Sequence, residues 1–266
     1  MNGEIAQAVA LVCHGNALLR GLQVPEFWPV NSTAKFCEQI DFATIKPPHD
    51  NPREVVVSAT PDAWLGRLKA SGMVGLRLRH DSGQAGHARW QDAGALGGTG
   101  RWTIETLDAD GFTWEWVARW RVGNPQAPDR RIWLVRYGAV SRNPTVPASG
   151  TLAEEEPALG AALEKILEFA SAHAECRGFV GNFQRALAAL RPGGPRAGYH
   201  QDLAPYGVIS ERAAATLDAC QSAWVFGAMG SWNDLGFERD IEAVYEAATE
   251  RLFATLIRSI VRAASQ

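Results

Sequence analysis

The stretch 101–140 constrains the fold more than any other. It holds Trp102, Trp114, Trp116, Trp120 and Trp133, five of the ten tryptophans in the chain. From Phe112 to Val122 the residues alternate. Phe112, Trp114, Trp116, Ala118, Trp120 and Val122 share one face of an extended chain, and Thr113, Glu115, Val117, Arg119 and Arg121 share the other. A period of two belongs to a half-buried β-strand, because a helix would scatter those rings around its circumference. Ahead of it, Asp110-Gly111 supplies the positive φ that a tight hairpin turn needs. Strands are therefore expected at 102–107, 112–122 and 131–140. They form an antiparallel meander whose tryptophan face belongs to the core.

The segments upstream read as a helix at 3–20, then a proline-punctuated stretch with a short helix from Ser32 or Thr33 to about Ile40, Ser32 being its candidate cap. Val55-Val56-Val57 marks a buried strand. Thr60-Pro61-Asp62 is a helix start: a cap, a proline at the first helical position and an acid near the positive end of the dipole. From 74 to 80, Val74, Leu76, Leu78 and His80 alternate with Gly75, Arg77 and Arg79, so a strand–helix–strand unit is expected. The stretch 81–100 reads as a long glycine-rich loop, and 143–150, with Pro144 and Pro147, as a linker.

Everything after 150 is helical in pattern. Apolar stripes of period 3.6 run through 152–176, 179–190, a segment starting at Ser210, and 238–264. The expected fold is α+β: the tryptophan-rich antiparallel meander with its short strand–helix–strand unit, followed by a bundle of about four helices packed on the sheet. The division expected is 1–148, mixed α/β, and 149–266, helical, joined as one compact unit.

Composition narrows the function. The net charge of −3 disfavours a general nucleic-acid or anionic-membrane binder. No apolar run approaches the ~20 residues that span a bilayer, and the N-terminus lacks the basic start of a signal peptide. Cys13, Cys37, Cys176 and Cys220 stand apart, without the paired spacing of a zinc site, and suit free thiols in a reducing compartment. A cytoplasmic protein with no metal and no cofactor is expected. GxSxG, HExxH, GxGxxG and Walker patterns are all missing from the sequence.

Several clusters bear chemistry. His80, at a strand end, sits near Asp81, His87 and Asp92, a grouping suited to acid–base work or simply to a polar loop. Gly94, Gly97, Gly98 and Gly100 precede a strand rather than a helix, which disfavours phosphate cradling. In 224–237, Trp232, Asn233 and Asp234 follow flexible backbone at Gly227 and Gly230. They suit either a pocket wall or a helix–helix turn with Trp232 as its plug. His14 and Asn16 form a further polar pair on the first helix. Arg119 and Arg121 face away from the tryptophans, with Arg136 on the next strand, and suit an anion or a solvated, acid-paired face.

Two readings follow. One is a binding or interaction protein without catalysis, whose partner is a protein or a small anionic ligand; a homo-oligomer is compatible with it. The other is an enzyme on an anionic or aromatic substrate, its site between the 81–100 loop and the 224–237 turn. There His80 or His87 would be the acid–base group, Asp234 its orienter, and Arg136, Arg119, Trp232 and Asn233 the ligand contacts.

Overall fold

A computed structural model of the 266-residue chain describes residues 1–46, 53–81, 90–93, 98–147 and 150–266. Two helices, α1 (Gly3–Leu19) and α2 (Pro61–Ala70), accompany six strands: β1 (Cys37–Lys46), β2 (Arg53–Ser58), β3 (Met73–Asp81), β4 (Arg101–Asp108), β5 (Phe112–Val122) and β6 (Trp133–Pro144). Four helices follow: α3 (Leu152–Ala172), α4 (Arg177–Ala189), α5 (Glu211–Ala223) and α6 (Arg239–Ala264).

The strands form one sheet in the order β2-β1-β6-β5-β4-β3. β3 to β6 pair antiparallel in succession, but β1 enters parallel beside β6. The sheet is therefore mixed: the three strands expected as a meander pair antiparallel, and β1 adds a parallel neighbour beyond that expectation. The short helix expected up to Ile40 is corrected. Residues 32–34 make a single 3-10 turn, capped by Asn31 rather than Ser32, and the chain then extends into β1. Two of the strands expected around α2 lie on opposite edges of the sheet, because β1 and β6 pair between them. Both corrections have one cause. β1 gains its place from β6, about a hundred residues downstream in sequence, and local pattern carries no trace of that pairing.

α1 is buried on all sides from Ile5 to Ala17. A helix enclosed all round belongs to the centre of a core rather than its rim. Its polar members are each bonded. The Tyr137 hydroxyl donates to Gln7 Oε1 at 3.0 Å, and Gln7 Nε2 donates to the Thr33 carbonyl at 3.3 Å. Gly15 permits the close approach: a Cβ there would stand 2.8 Å from both terminal methyls of Leu76.

The tryptophan face is covered by α1 and α2, not by the C-terminal helices as expected. Trp64 of α2 stacks on Phe42 at 4.2 Å between centroids, Phe42 stacks on Tyr137 at 5.1 Å, and Trp116 meets Trp64 edge-on at 5.4 Å. Each such buried ring contributes about 1.5–3 kcal/mol or more. The C-terminal helices reach the sheet chiefly through α6, which packs along β3. One apolar core runs through both parts of the chain.

Candidate functional site

β3 is an edge strand, and an edge leaves alternate backbone N–H and C=O groups unpaired. Two side chains take the place of a neighbouring strand. Asn16 of α1 accepts from the Leu76 N–H at 2.7 Å and donates to the Leu76 carbonyl at 2.8 Å. Two residues on, the Ser265 hydroxyl accepts from the Leu78 N–H at 2.9 Å and lies 3.4 Å from the Leu78 carbonyl. These bonds fix the end of α6 against β3.

The outer faces of β3, β4 and β5 carry charge. Glu105 and Glu115 are direct cross-strand neighbours, an arrangement that is repulsive unless cations intervene. Three arginines do. Arg77 Nε binds Glu105 Oε2, and Arg79 Nη2 donates to Glu115 Oε1 at 2.7 Å. Arg101 Nη2 reaches Glu115 Oε2 at 3.3 Å. Arg79 Nε lies 2.9 Å from Glu105 Oε1 as an ion pair, without its N–H aimed along the contact. Glu105 is only 5% exposed, while Arg79 and Arg101 keep part of their guanidinium surface in water.

A cleft of about 540 Å³ opens above it. Arg77, Arg79, Glu105 and Glu115 form its floor. Pro144, Val146 and Pro147 form one wall, and Ile257, Arg258, Val261 and Arg262 of α6 the other. The first wall is pinned: the Thr145 N–H donates to the Gly111 carbonyl at 2.8 Å, and the Thr145 and Thr113 hydroxyls are 2.8 Å apart. Arg258 pairs with Glu155 of α3 at 2.9 Å. Arg262 stands beside Gly150, as does Glu154.

His80 lines this cleft too. Its Nε2 lies 2.6 Å from the Thr99 carbonyl, which makes Nε2–H the donor, and its ring lies 4.7 Å from Trp102. Gly100, at φ +88°, makes room, since a Cβ there would fall 2.7 Å from His80 Nε2. Burial pushes the His80 pKa down, against the Thr99 bond and the Asp81 charge. At neutral pH the ring is therefore uncharged, with Nδ1 as an acceptor.

The other residues expected at a site lie elsewhere. Arg136 is held by Asp41 through Nε and Nη2, both at 2.7 Å, and these bonds raise its pKa. Glu54 binds Arg119 and Arg136 together. Trp232 is fully buried among Phe169, Phe179, Phe183 and Tyr245, its Nε1–H donating to Thr249 Oγ1 at 2.9 Å. Asn233 and Asp234 close the turn they belong to. Asn233 accepts from the Gly227 N–H at 3.1 Å and donates to the Gly227 carbonyl at 3.0 Å, and Asp234 accepts from the Gly230 N–H. Asn233 also approaches the Gln91 carbonyl at 3.5 Å, so the turn does meet residues 90–93. Neither Asp234 nor Arg136 lines the cleft that His80 lines. His87 lies outside the described residues.

A second polar cluster escaped the sequence reading. Ser32 Oγ lies 2.7 Å from His200 Nδ1 and also binds Asp202 Oδ1, while the Ser32 N–H donates to Asp202 Oδ2 at 2.6 Å. Burial pushes the His200 pKa down to about 4. The serine's one proton goes to the carboxylate, so Nδ1–H of the neutral imidazole donates to Ser32. Here the acid grips the serine instead of orienting the histidine, unlike a hydrolytic triad. Asn31 Nδ2 donates to the Asp202 carbonyl at 2.9 Å, and His14 Nε2 lies 3.1 Å from that oxygen. The cluster is a clasp between the α4–α5 connection and the N-terminal part.

All four cysteines are buried and unpaired. Burial pushes Cys13 and Cys220 up to about 12, and Cys37 and Cys176 up to about 11, which keeps them as unreactive thiols. Among the described residues no group of His, Cys, Asp and Glu is placed to hold a metal, and no helix is long and apolar enough to cross a membrane.

No protein-family model matches the chain, and neither a curated protein nor a solved structure matches it.

The residues of the cleft were visible in sequence as Arg77 and Arg79 alternating with the apolar face of a strand. What marks them as a site is their convergence with Glu105, Glu115 and the end of α6. That convergence depends on strand register and on the path of α6.

Proposed function

We propose that this chain is a binding protein that takes a small anion in the cleft between the β3–β5 floor and the end of α6, without acting on it chemically. One observation carries the reading. Arg77 and Arg79 on the floor and Arg258 and Arg262 on the α6 wall place four guanidinium groups against two carboxylates, Glu105 and Glu115, around the cleft, in a chain whose net charge is −3. Guanidinium forks beside a cleft of ligand size are the groups that recognise carboxylate or phosphate. The high pKa values of the cysteines and the grip of Asp202 on Ser32 support a role without a nucleophile. A reducing, cytoplasmic setting suits the unpaired thiols. We read β4–β6 as a meander that displays the floor, and α3–α6 as a four-helix bundle that positions one wall.

The test is calorimetric titration of acetate and inorganic phosphate at low salt. Binding is expected to weaken in 0.5 M salt, as an ionic contact does, and to fall at least about tenfold in Arg79→Ala. A folded protein that takes up neither anion refutes the reading.

A second reading retains an enzyme with His80 as its acid–base group, without Asp234 and Arg136, which are engaged in their own turn and by Asp41 away from the cleft. What favours it is His80 at the border of the cleft, its pKa lowered by burial and its ring held by the Thr99 carbonyl and Trp102. It requires a turnover that His80→Gln abolishes with ligand affinity intact. Unchanged turnover in that variant removes it.

A further inference from the structure

We infer that the anion taken by the cleft is the head of an amphipathic carboxylate, a chain of several methylenes ending in a carboxyl group. This rests on the reading of the floor as an anion site, and adds what the walls select. Val146 and Pro147 form an apolar strap on one side, and Ile257 and Val261 an apolar strip on the other. Val146 is 70% exposed although its strap is pinned at Thr145, so apolar surface is held open to water beside the arginines. An inorganic anion would use the floor alone and leave both walls wet. A body threaded between them would remove their apolar surface from water while its charge met the guanidinium groups.

The lining also argues for an aliphatic body over an aromatic one. Among its described residues there is no Phe, Tyr or Trp, so a ring or a nucleobase would find no stacking partner. Val146 and Val261 instead supply branched aliphatic surface in contact with water, which suits methylenes of no fixed shape.

The experiment compares acetate, butyrate, hexanoate and octanoate by titration calorimetry on the full chain. A fully buried methylene raises affinity about fourfold, and in an open cleft about twofold is expected. Octanoate should then bind about sixty times more tightly than acetate. Arg79→Ala should weaken all four equally and leave the dependence on chain length unchanged. Val146→Ser, on the exposed strap, and Val261→Ser should flatten that dependence and leave acetate binding intact, with melting curves confirming the fold. Affinity independent of chain length, with acetate still bound, overturns the inference and spares the anion reading. No binding of any of the four overturns the inference, and overturns the anion reading with it when inorganic phosphate also fails to bind. A dependence on chain length that both valine variants leave unchanged places the tail elsewhere and overturns the inference.

Discussion

Replacing Glu105 by Gln should weaken the fold and tighten the ligand together. Glu105 is 5% exposed, lies opposite Glu115, and binds Arg77 and Arg79. Removing one partner of a buried ion pair costs about 3–5 kcal/mol. Arg79 is 39% exposed, so water screens part of that loss. Glutamine also keeps the shape and one acceptor, and about 1–3 kcal/mol is the discounted expectation. That corresponds to a fall in Tm of roughly 2–5 °C for a chain of this size. The same change leaves three arginines around one carboxylate. A negative charge removed about 6 Å from a bound anion relieves about 0.7 kcal/mol of repulsion in water and about 3 kcal/mol at an effective dielectric of 20. The cleft is open, so the lower end applies, and octanoate should bind about three to ten times more tightly. Tryptophan-fluorescence unfolding in urea gives the stability, and calorimetry the affinity. A folded variant that binds octanoate no better, or less well, refutes the reasoning, because the floor would then not be where the anion sits.

Three further perturbations separate structural from binding roles. Asn16→Ala leaves the Leu76 N–H and C=O without their side-chain partner, at a cost of about 2–4 kcal/mol, and hydrogen exchange should show the Leu76 amide losing protection first. Arg136→Gln strands the buried Asp41 carboxylate and should cost about 2–4 kcal/mol, with carboxylate affinity unchanged in calorimetry; a lost affinity would move the anion to Arg136. The His200 pKa is lowered from 6.5 to about 4, so the unfolded chain binds the proton more readily than the folded one. The corresponding stability is complete above pH 6.5 and is lost as pH falls towards 4, about 1–2 kcal/mol after allowance for partial exposure. Burial lowers His14 and His80 in the same direction. Urea midpoints from pH 7.5 to 4.5 should therefore fall less steeply in His200→Gln than in the native chain, and parallel curves would show that His200 is not the sensor.

What the sequence revealed was local. The strand at 112–122, the Thr60 cap of α2 and the long helical stripes are written in period and end signals, and each element forms there. What escaped it was nonlocal. β1 depends on a parallel partner in β6, and the period of α1 marks a helix without showing which elements enclose it. The candidate site shows the same division. Arg77 and Arg79 stand out as an alternating pair, but their meaning comes from Glu105 and Glu115 in register and from α6 lying alongside. Trp232, Asn233 and Asp234 attracted notice through their density of aromatic and polar groups, which here builds a plugged turn. Arg136 and Arg119 are occupied by Asp41 and Glu54, acids that lie far off in sequence.

The most direct test of the anion-binding cleft follows the arginine side-chain Nε–H signals by NMR as octanoate is added. Arg77 and Arg79 should shift together and saturate with the calorimetric affinity, while Arg119 and Arg136, held by Glu54 and Asp41 on the same sheet face, stay in place. Shifts confined to Arg119 and Arg136, or no arginine shift at saturating octanoate, would contradict the account.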